Sequence, residues 1–241
     1  MLEHVDLEKV LFLDIETVPE VNAYDDLDEK KRELWDTKSQ YLQKREEKNP
    51  DEVFEKAGIF AEFGKVVCVS VGFIKLENND PQLRLNSYYG HDEAKLLGEF
   101  SELLNRYYNT ERELLCAHNG KEFDFPYLAR RMLINGLPLP NALDIAGKKP
   151  WEVNHLDTMQ LWKFGDFKHY TSLSLLTHVF GIPTPKDDIS GADVGKVYWE
   201  EDDVQRIARY CEKDVKATAQ LFLRYKGRPL IPEENIVTVT G

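Results

Sequence analysis

No stretch of this sequence approaches the roughly 20 consecutive apolar residues that a membrane-spanning helix needs. Its first residues, Met-Leu-Glu-His-Val-Asp, also lack the basic-then-apolar order of a secretion leader. A cytoplasmic protein is the expectation. Cysteine is scarce too: Cys68, Cys116 and Cys211 are an odd number with no C-x-x-C pair, which excludes a disulfide framework and a zinc ribbon. They read as reduced core thiols. The third shortage is positive charge, since 31 Lys and Arg face 43 Asp and Glu for a net charge of −12. A long duplex-wrapping surface, which needs a basic footprint, is therefore not supported. The acid is uneven, however. Residues 1–64 hold 18 acids and 9 bases, whereas residues 118–170 hold 6 acids and 7 bases.

What is present suits a single domain over residues 1–241, long enough to bury a real core. The most informative stretch is Val10-Leu-Phe-Leu-Asp-Ile-Glu-Thr-Val-Pro19, an apolar strand pattern that ends with two carboxylates, Asp14 and Glu16. Period-2 alternation places both on one face of the strand. Two like charges so close repel unless a cation lies between them. Hard oxygen ligands favour Mg²⁺ or Mn²⁺ over zinc. Taken alone, the pair also fits a strand that simply ends in solvent.

Two more blocks weigh against that simpler reading. Leu114 to Met132 reads as a strand, a turn at Asn119-Gly120 and a helix, bringing Asp124 to the helix N-terminal turn beside Phe123. Tyr210-Cys-Glu-Lys-Asp214 lies in a helical pattern, so Tyr210 and Asp214 share a face.

The D-x-E, N-x3-F-D and Y-x3-D blocks, in this order, resemble the three motifs of the DEDD exonucleases, the ribonuclease-H-like 3′-5′ exonucleases. Tyrosine in the third block resembles the DEDDy branch. Phe12 to Pro19, His155-Leu-Asp-Thr-Met-Gln-Leu-Trp162 and Tyr210 to Val215 are similar to a stand-alone bacterial group akin to the family-B polymerase proofreading domain. The resemblance covers about Val10 to Tyr225, and none of the four carboxylates or the tyrosine departs from the pattern.

The resemblance implies an α/β fold with a mixed five-stranded sheet flanked by helices, and metal-dependent 3′-5′ hydrolysis of single-stranded nucleic-acid ends. DNA is favoured over RNA. An RNA-trimming enzyme and a non-catalytic nucleic-acid-binding module are the alternatives. It also implies two Mg²⁺ or Mn²⁺ ions, bridged by Asp14, with Glu16 and Asp214 completing the water-bearing site and Asp124 holding the second ion. Tyr210 would orient the attacking water, because a phenol with an ordinary pKa near 10 is a poor base at neutral pH. Asn119 and Phe123 would contact the terminal nucleotide, and backbone N–H groups of Ile15 and Thr17 would hold the 3′-hydroxyl region.

Pattern reading places strands at Val66–Ile74, Leu83–Tyr89, Leu114–Ala117 and near Asn154–Thr158. Helices are expected at Asp92–Tyr108, Glu122–Asn135 and Ser172–Phe180. Residues 22–64 are dense in opposite charges and read as a helical insertion with one face on the domain. The tail, 228–241, has no helical periodicity. His118 is expected to be structural and Asp157 to cap a helix. Lys148, Lys149, Trp151, Trp162, Lys163, Phe164, Phe167, Lys168, His169 and Tyr170 interleave bases with aromatics, the composition of a single-strand groove or of a core with a solvated rim.

Overall fold

The computed structural model describes residues 2–77, 80–166, 170–183 and 189–239. Its strands are β1 (Val10–Pro19), β2 (Gly64–Glu77), β3 (Asp80–Tyr89), β4 (Leu114–Ala117), β5 (Leu156–Asp157) and β6 (Ile236–Thr238). The helices are α1 (Glu29–Lys38), α2 (Gln40–Glu46), α3 (Glu93–Tyr107), α4 (Asp124–Ile134), α5 (Thr158–Lys163), α6 (Leu173–Val179), α7 (Val194–Trp199) and α8 (Val204–Tyr225). The strands form one mixed sheet in the order β5-β4-β1-β2-β3-β6. β1, β2 and β3 make the expected antiparallel meander, and β4 and β5 add in parallel on the other side of β1.

The alternation along β1 sorts its side chains between two helical layers. Leu11, Leu13 and Ile15 pack with Leu97 and Phe100 of α3 and with Phe125 and Leu128 of α4. Val10 and Phe12 face the opposite layer, with Val215, Ala219 and Phe222 of α8. Phe12 meets Phe222 edge-on at 5.5 Å. α8 lies close because Gly72 of β2 faces it. A Cβ there would fall 2.9 Å from the Val215 side chain and 2.9 Å from that of Leu85. Asp14 and Glu16 continue the α8-facing set, so the strand that builds the core also aims two carboxylates at the helix.

The sheet carries one strand more than expected. After a short turn at Glu233–Asn235, β6 pairs in parallel with β3. Three residues are too few for alternation to be read from sequence. Helix α7, only six residues long, was not anticipated either.

Within residues 22–64 lie α1 and α2, and the stretch has a core of its own around Trp35. The Trp35 ring stands edge-on to Phe54, Phe60 and Phe63, with centroids 5.4, 5.9 and 5.3 Å away. Its indole N–H donates to Pro50 O at 2.8 Å. The end of the segment is tied down by Arg131 of α4, which donates to Ala61 O at 2.8 Å and to Glu93 Oε1 at 2.8 Å. Glu93 Oε1 also accepts from the backbone of Val66 at 2.7 Å. Both side chains are under a tenth exposed, so removing one partner leaves a buried charge uncompensated. Glu93→Ala is expected to cost about 3–5 kcal/mol, lowering the melting temperature by roughly 6–20 °C. Calorimetry checks this, and an unchanged melting temperature would mean that the pair fixes nothing.

Candidate active site

β4 pairs with β1 only as far as Phe12↔Cys116, after which the chain turns away through His118 and Asn119. One edge of β1 is thereby released beside Asp14, Ile15 and Glu16. The N-terminus of α4 fills the gap. Asp124, its first residue and only 4% exposed, takes backbone hydrogen bonds from Ile15 and from its own N–H. On the other edge, the β1–β2 register slips between Glu16 and Thr17, since Glu16 pairs with Cys68 and Thr17 with Val66. Bulges of this kind recur beside active sites, where they re-aim side chains.

From above, α8 supplies the remaining groups. The Cys211 thiol lies 3.3 Å from Asp14 Oδ2, and ligand atoms of Asp14, Glu16 and Cys211 fall within 4.8 Å of one another. Tyr210 and Asp214 flank Cys211 on the same helix and are half-buried. The charges of Glu16, Asp124 and Asp214 all bear on Asp14, and those of Asp214 and Asp124 bear on Glu16. Asp124 and Asp214 thus lie near enough for their charges to reach the Asp14–Glu16 pair, although their carboxylates are not in the 4.8 Å group of Asp14, Glu16 and Cys211.

Burial, and then this mutual repulsion, push the Asp14 carboxyl well above the ordinary range. Glu16 rises likewise, from burial first and then from the charges of Cys68, Asp214 and Asp124. Burial also lifts Asp124 to about 7, against the pull of its two backbone hydrogen bonds. A desolvated set of carboxylates that cannot all ionise is a fitting receptor for a hard divalent cation. Because the folded state holds these protons more tightly than the unfolded chain, cation-free stability is expected to fall as pH rises from about 4 towards 7. Mg²⁺ or Mn²⁺ should then raise the melting temperature more at pH 8 than at pH 5. Thermal melts at the two pH values decide this, and an equal effect at both would contradict it.

The surrounding residues hold this arrangement. Asp157 caps α5, accepting from Met159 N at 2.9 Å and Gln160 N at 3.1 Å, as expected. It also accepts from the backbone of Asn119 and Lys121, at 3.1 and 3.2 Å, and so shapes the turn before α4. Asn119 adopts φ +68°, and its buried Oδ1 has no hydrogen-bond partner among the described residues. His118 is structural, bonded to Thr158 Oγ1 at 2.9 Å and Thr171 O at 3.0 Å. Phe123 is half-buried against Tyr127, with ring centroids 5.3 Å apart. The Thr17 hydroxyl hydrogen-bonds the Tyr127 phenol, which in turn donates to Gly58 O at 2.7 Å.

The aromatic and basic run divides. Trp162 packs with Phe180 and Tyr225 in an apolar cluster, so it belongs to the core. Trp151, Phe164 and Tyr170 are exposed, and the Tyr170 phenol lies close enough to feel the charges of Asp124 and Asp157. Phe167, Lys168 and His169 lie outside the described residues. Sequence reading missed the approach of Cys211 to Asp14. Its apolar flanks announced only burial, and the helical period that aligned Tyr210 with Asp214 was the one available signal.

A family described as a predicted 3′-5′ exonuclease related to the exonuclease domain of PolB matches residues 60–228. The chain belongs to that family. It is accordingly a DEDD-type exonuclease domain related to PolB proofreading. A DNA polymerase from Pyrococcus glycovorans is 24% identical over 150 residues, covering 55% of this chain and 18% of the polymerase. The family B DNA polymerase of Pyrobaculum calidifontis shares the fold, with a TM-score of 0.55 at 16% identity over 89% of this chain and 24% of its own. E. coli Exonuclease I, solved with a dT13 oligonucleotide, aligns with a TM-score of 0.46 at 11% identity over 91% of this chain and 41% of its own. The chain thus spans less than a quarter of either polymerase. Among the described residues no helix is long and apolar enough to cross a membrane.

Proposed function

We propose that this exonuclease is of the DEDDy kind, removing nucleotides from single-stranded 3′ ends with DNA preferred, and that Asp14, Glu16, Asp124 and Asp214 hold two Mg²⁺ or Mn²⁺ ions. The observation that carries this reading is the buried Asp14–Glu16 pair at the released edge of β1, with Asp124 and Asp214 near enough for their charges to act on both. When bound, two divalent ions would supply a water of lowered pKa and stabilise the leaving 3′ oxygen. Tyr210 orients the attacking water. The Phe123 ring offers a face on which a base or sugar can pack, which is indifferent to sequence. Asn119 brings an unsatisfied acceptor to the terminal nucleotide. The Thr17 backbone N–H faces the 3′-hydroxyl region, and Ile15 shares its N–H between that region and Asp124. The kinship with polymerase proofreading supports DNA, and three unpaired buried thiols agree with a reducing, cytoplasmic setting.

The test uses 5′-end-labelled single-stranded DNA, duplex DNA and RNA, each with Mg²⁺, Mn²⁺ or EDTA. A ladder shortening from the 3′ end, fastest on single-stranded DNA and absent in EDTA, is expected. Intact strands under every metal condition, or shortening that ignores EDTA, would contradict the proposal.

A further inference from the structure

A line of small polar side chains runs from Asp14 across the face of the sheet that α8 covers. The Cys211 thiol lies 3.3 Å from both Asp14 O and Asp14 Oδ2, so one S–H spans the main chain and the carboxylate of the same residue. Cys211 also hydrogen-bonds the thiol of Cys68, which stands opposite Glu16 in the β1–β2 ladder. From Cys68 Sγ the line passes to Ser70 Oγ at 3.5 Å and to Ser87 Oγ of β3 at 2.7 Å, and Ser87 donates to Glu212 Oε1 at 2.8 Å. It therefore leaves α8 at Cys211 and returns to it at the next residue. Asp14, Ser70 and Ser87 form one row across β1, β2 and β3, and Cys68, Ser70 and Cys211 are fully buried.

Asp14 is the carboxylate that most needs holding. Glu16, Asp124 and Asp214 all press negative charge on it, and of the largest influences on its carboxyl the Cys211 thiol alone favours the ionised form. A carboxylate tied at one oxygen to its own main chain keeps one orientation, which fixes where the other oxygen points. A thiol suits this task because S–H is a weak donor. It aims the group without competing strongly with a cation for its charge. Hard ions such as Mg²⁺ and Mn²⁺ prefer oxygen to sulfur, so the thiol serves them as a donor to Asp14 rather than as a ligand.

We infer that Cys211 is a positioning residue: its thiol sets the orientation in which the Asp14 carboxylate meets divalent ions, and the line through Cys68, Ser70 and Ser87 to Glu212 sets the thiol. The inference deepens the metal-dependent exonuclease reading of the same site and rests on it. Groups that hydrogen-bond a metal-binding side chain typically cost about 10–100-fold in metal affinity when they are removed. Cation affinity is therefore governed in part from β2 and β3, by residues that touch neither metal nor strand.

Electron paramagnetic resonance of free Mn²⁺ reads cation affinity with no strand present. The full chain is titrated as wild type, Cys211→Ala, Cys211→Ser and Ser87→Ala. Cys211→Ala should bind Mn²⁺ about 10–100-fold more weakly, whereas Cys211→Ser, which restores a donor, should stay close to the wild type. Alanine and serine differ little in volume, so a packing role predicts the same result for both, and that result would overturn the inference. Ser87→Ala acts two strands away from Asp14 and should weaken Mn²⁺ in the same direction by less, which keeps the test decisive if Cys211→Ala disturbs the fold. Wild-type affinity in Ser87→Ala would overturn the part of the line beyond Cys68. Donor-dependent Mn²⁺ binding without cleavage of any strand would instead overturn the exonuclease reading and leave the positioning role standing.

Discussion

Replacing Asp14 or Asp214 by asparagine is expected to abolish hydrolysis while leaving a folded chain that still binds single strands. The substitution keeps the shape of the side chain and removes one negative charge from a set whose members already repel one another. Cation binding then fails for lack of a ligand. Loss of the metal's contribution should lower the rate by at least about 10³-fold, the equivalent of about 4 kcal/mol of transition-state stabilisation. The same change relieves repulsion in the cation-free protein, so its melting temperature at pH 8 should rise, by about 2–4 °C for each kcal/mol recovered. A dead enzyme more stable than its parent differs from one that has merely unfolded. Near-normal turnover with Mg²⁺ in either variant would defeat the metal assignment.

Tyr210→Phe should lower the hydrolysis rate by roughly 10²–10⁴-fold, the range of a group that positions a proton transfer, with fold and cation affinity unchanged. Tyr210 sits one helical turn before Asp214, with its phenol oxygen about 3.9 Å from where a Cβ on Gly191 would lie. Phenylalanine fills the same place and lacks only the hydroxyl. If the phenol orients water, the pH-rate profile keeps its shape and drops throughout. If it takes the proton, the alkaline limb changes. A variant matching the parent at every pH would mean that the tyrosine marks the fold without taking part in the chemistry.

The sequence was most legible where a residue broke its own pattern or where a pattern ran long. Asp14 and Glu16 stood out because charge in an apolar strand violates its own pattern, and the strand was real. α3 and α8 were readable because their apolar residues recur over four or more turns. β6 and α7 were not, being three and six residues long and held by neighbours rather than by local preference, whereas β5, two residues long, falls inside the strand expected near Asn154–Thr158. The role of Asp157 was half legible. Its cap follows from its place before a helix, whereas its hold on Asn119 and Lys121 depends on two segments that meet only in the folded chain. The charged 22–64 segment read as solvated helices with one face on the domain. That Gly58 lies backbone to backbone against Val18 of β1 is a contact that no periodicity encodes.

A structure of the protein with Mn²⁺ and a short single strand carrying a non-hydrolysable terminal linkage tests the central claim most directly. Anomalous scattering locates the metal without reference to the carboxylates. Two peaks about 3.5–4 Å apart, enclosed by Asp14, Glu16, Asp124 and Asp214 and adjoining the terminal phosphate, are the predicted result. Peaks elsewhere, or a bound strand whose terminal phosphate lies far from these four side chains, would contradict it.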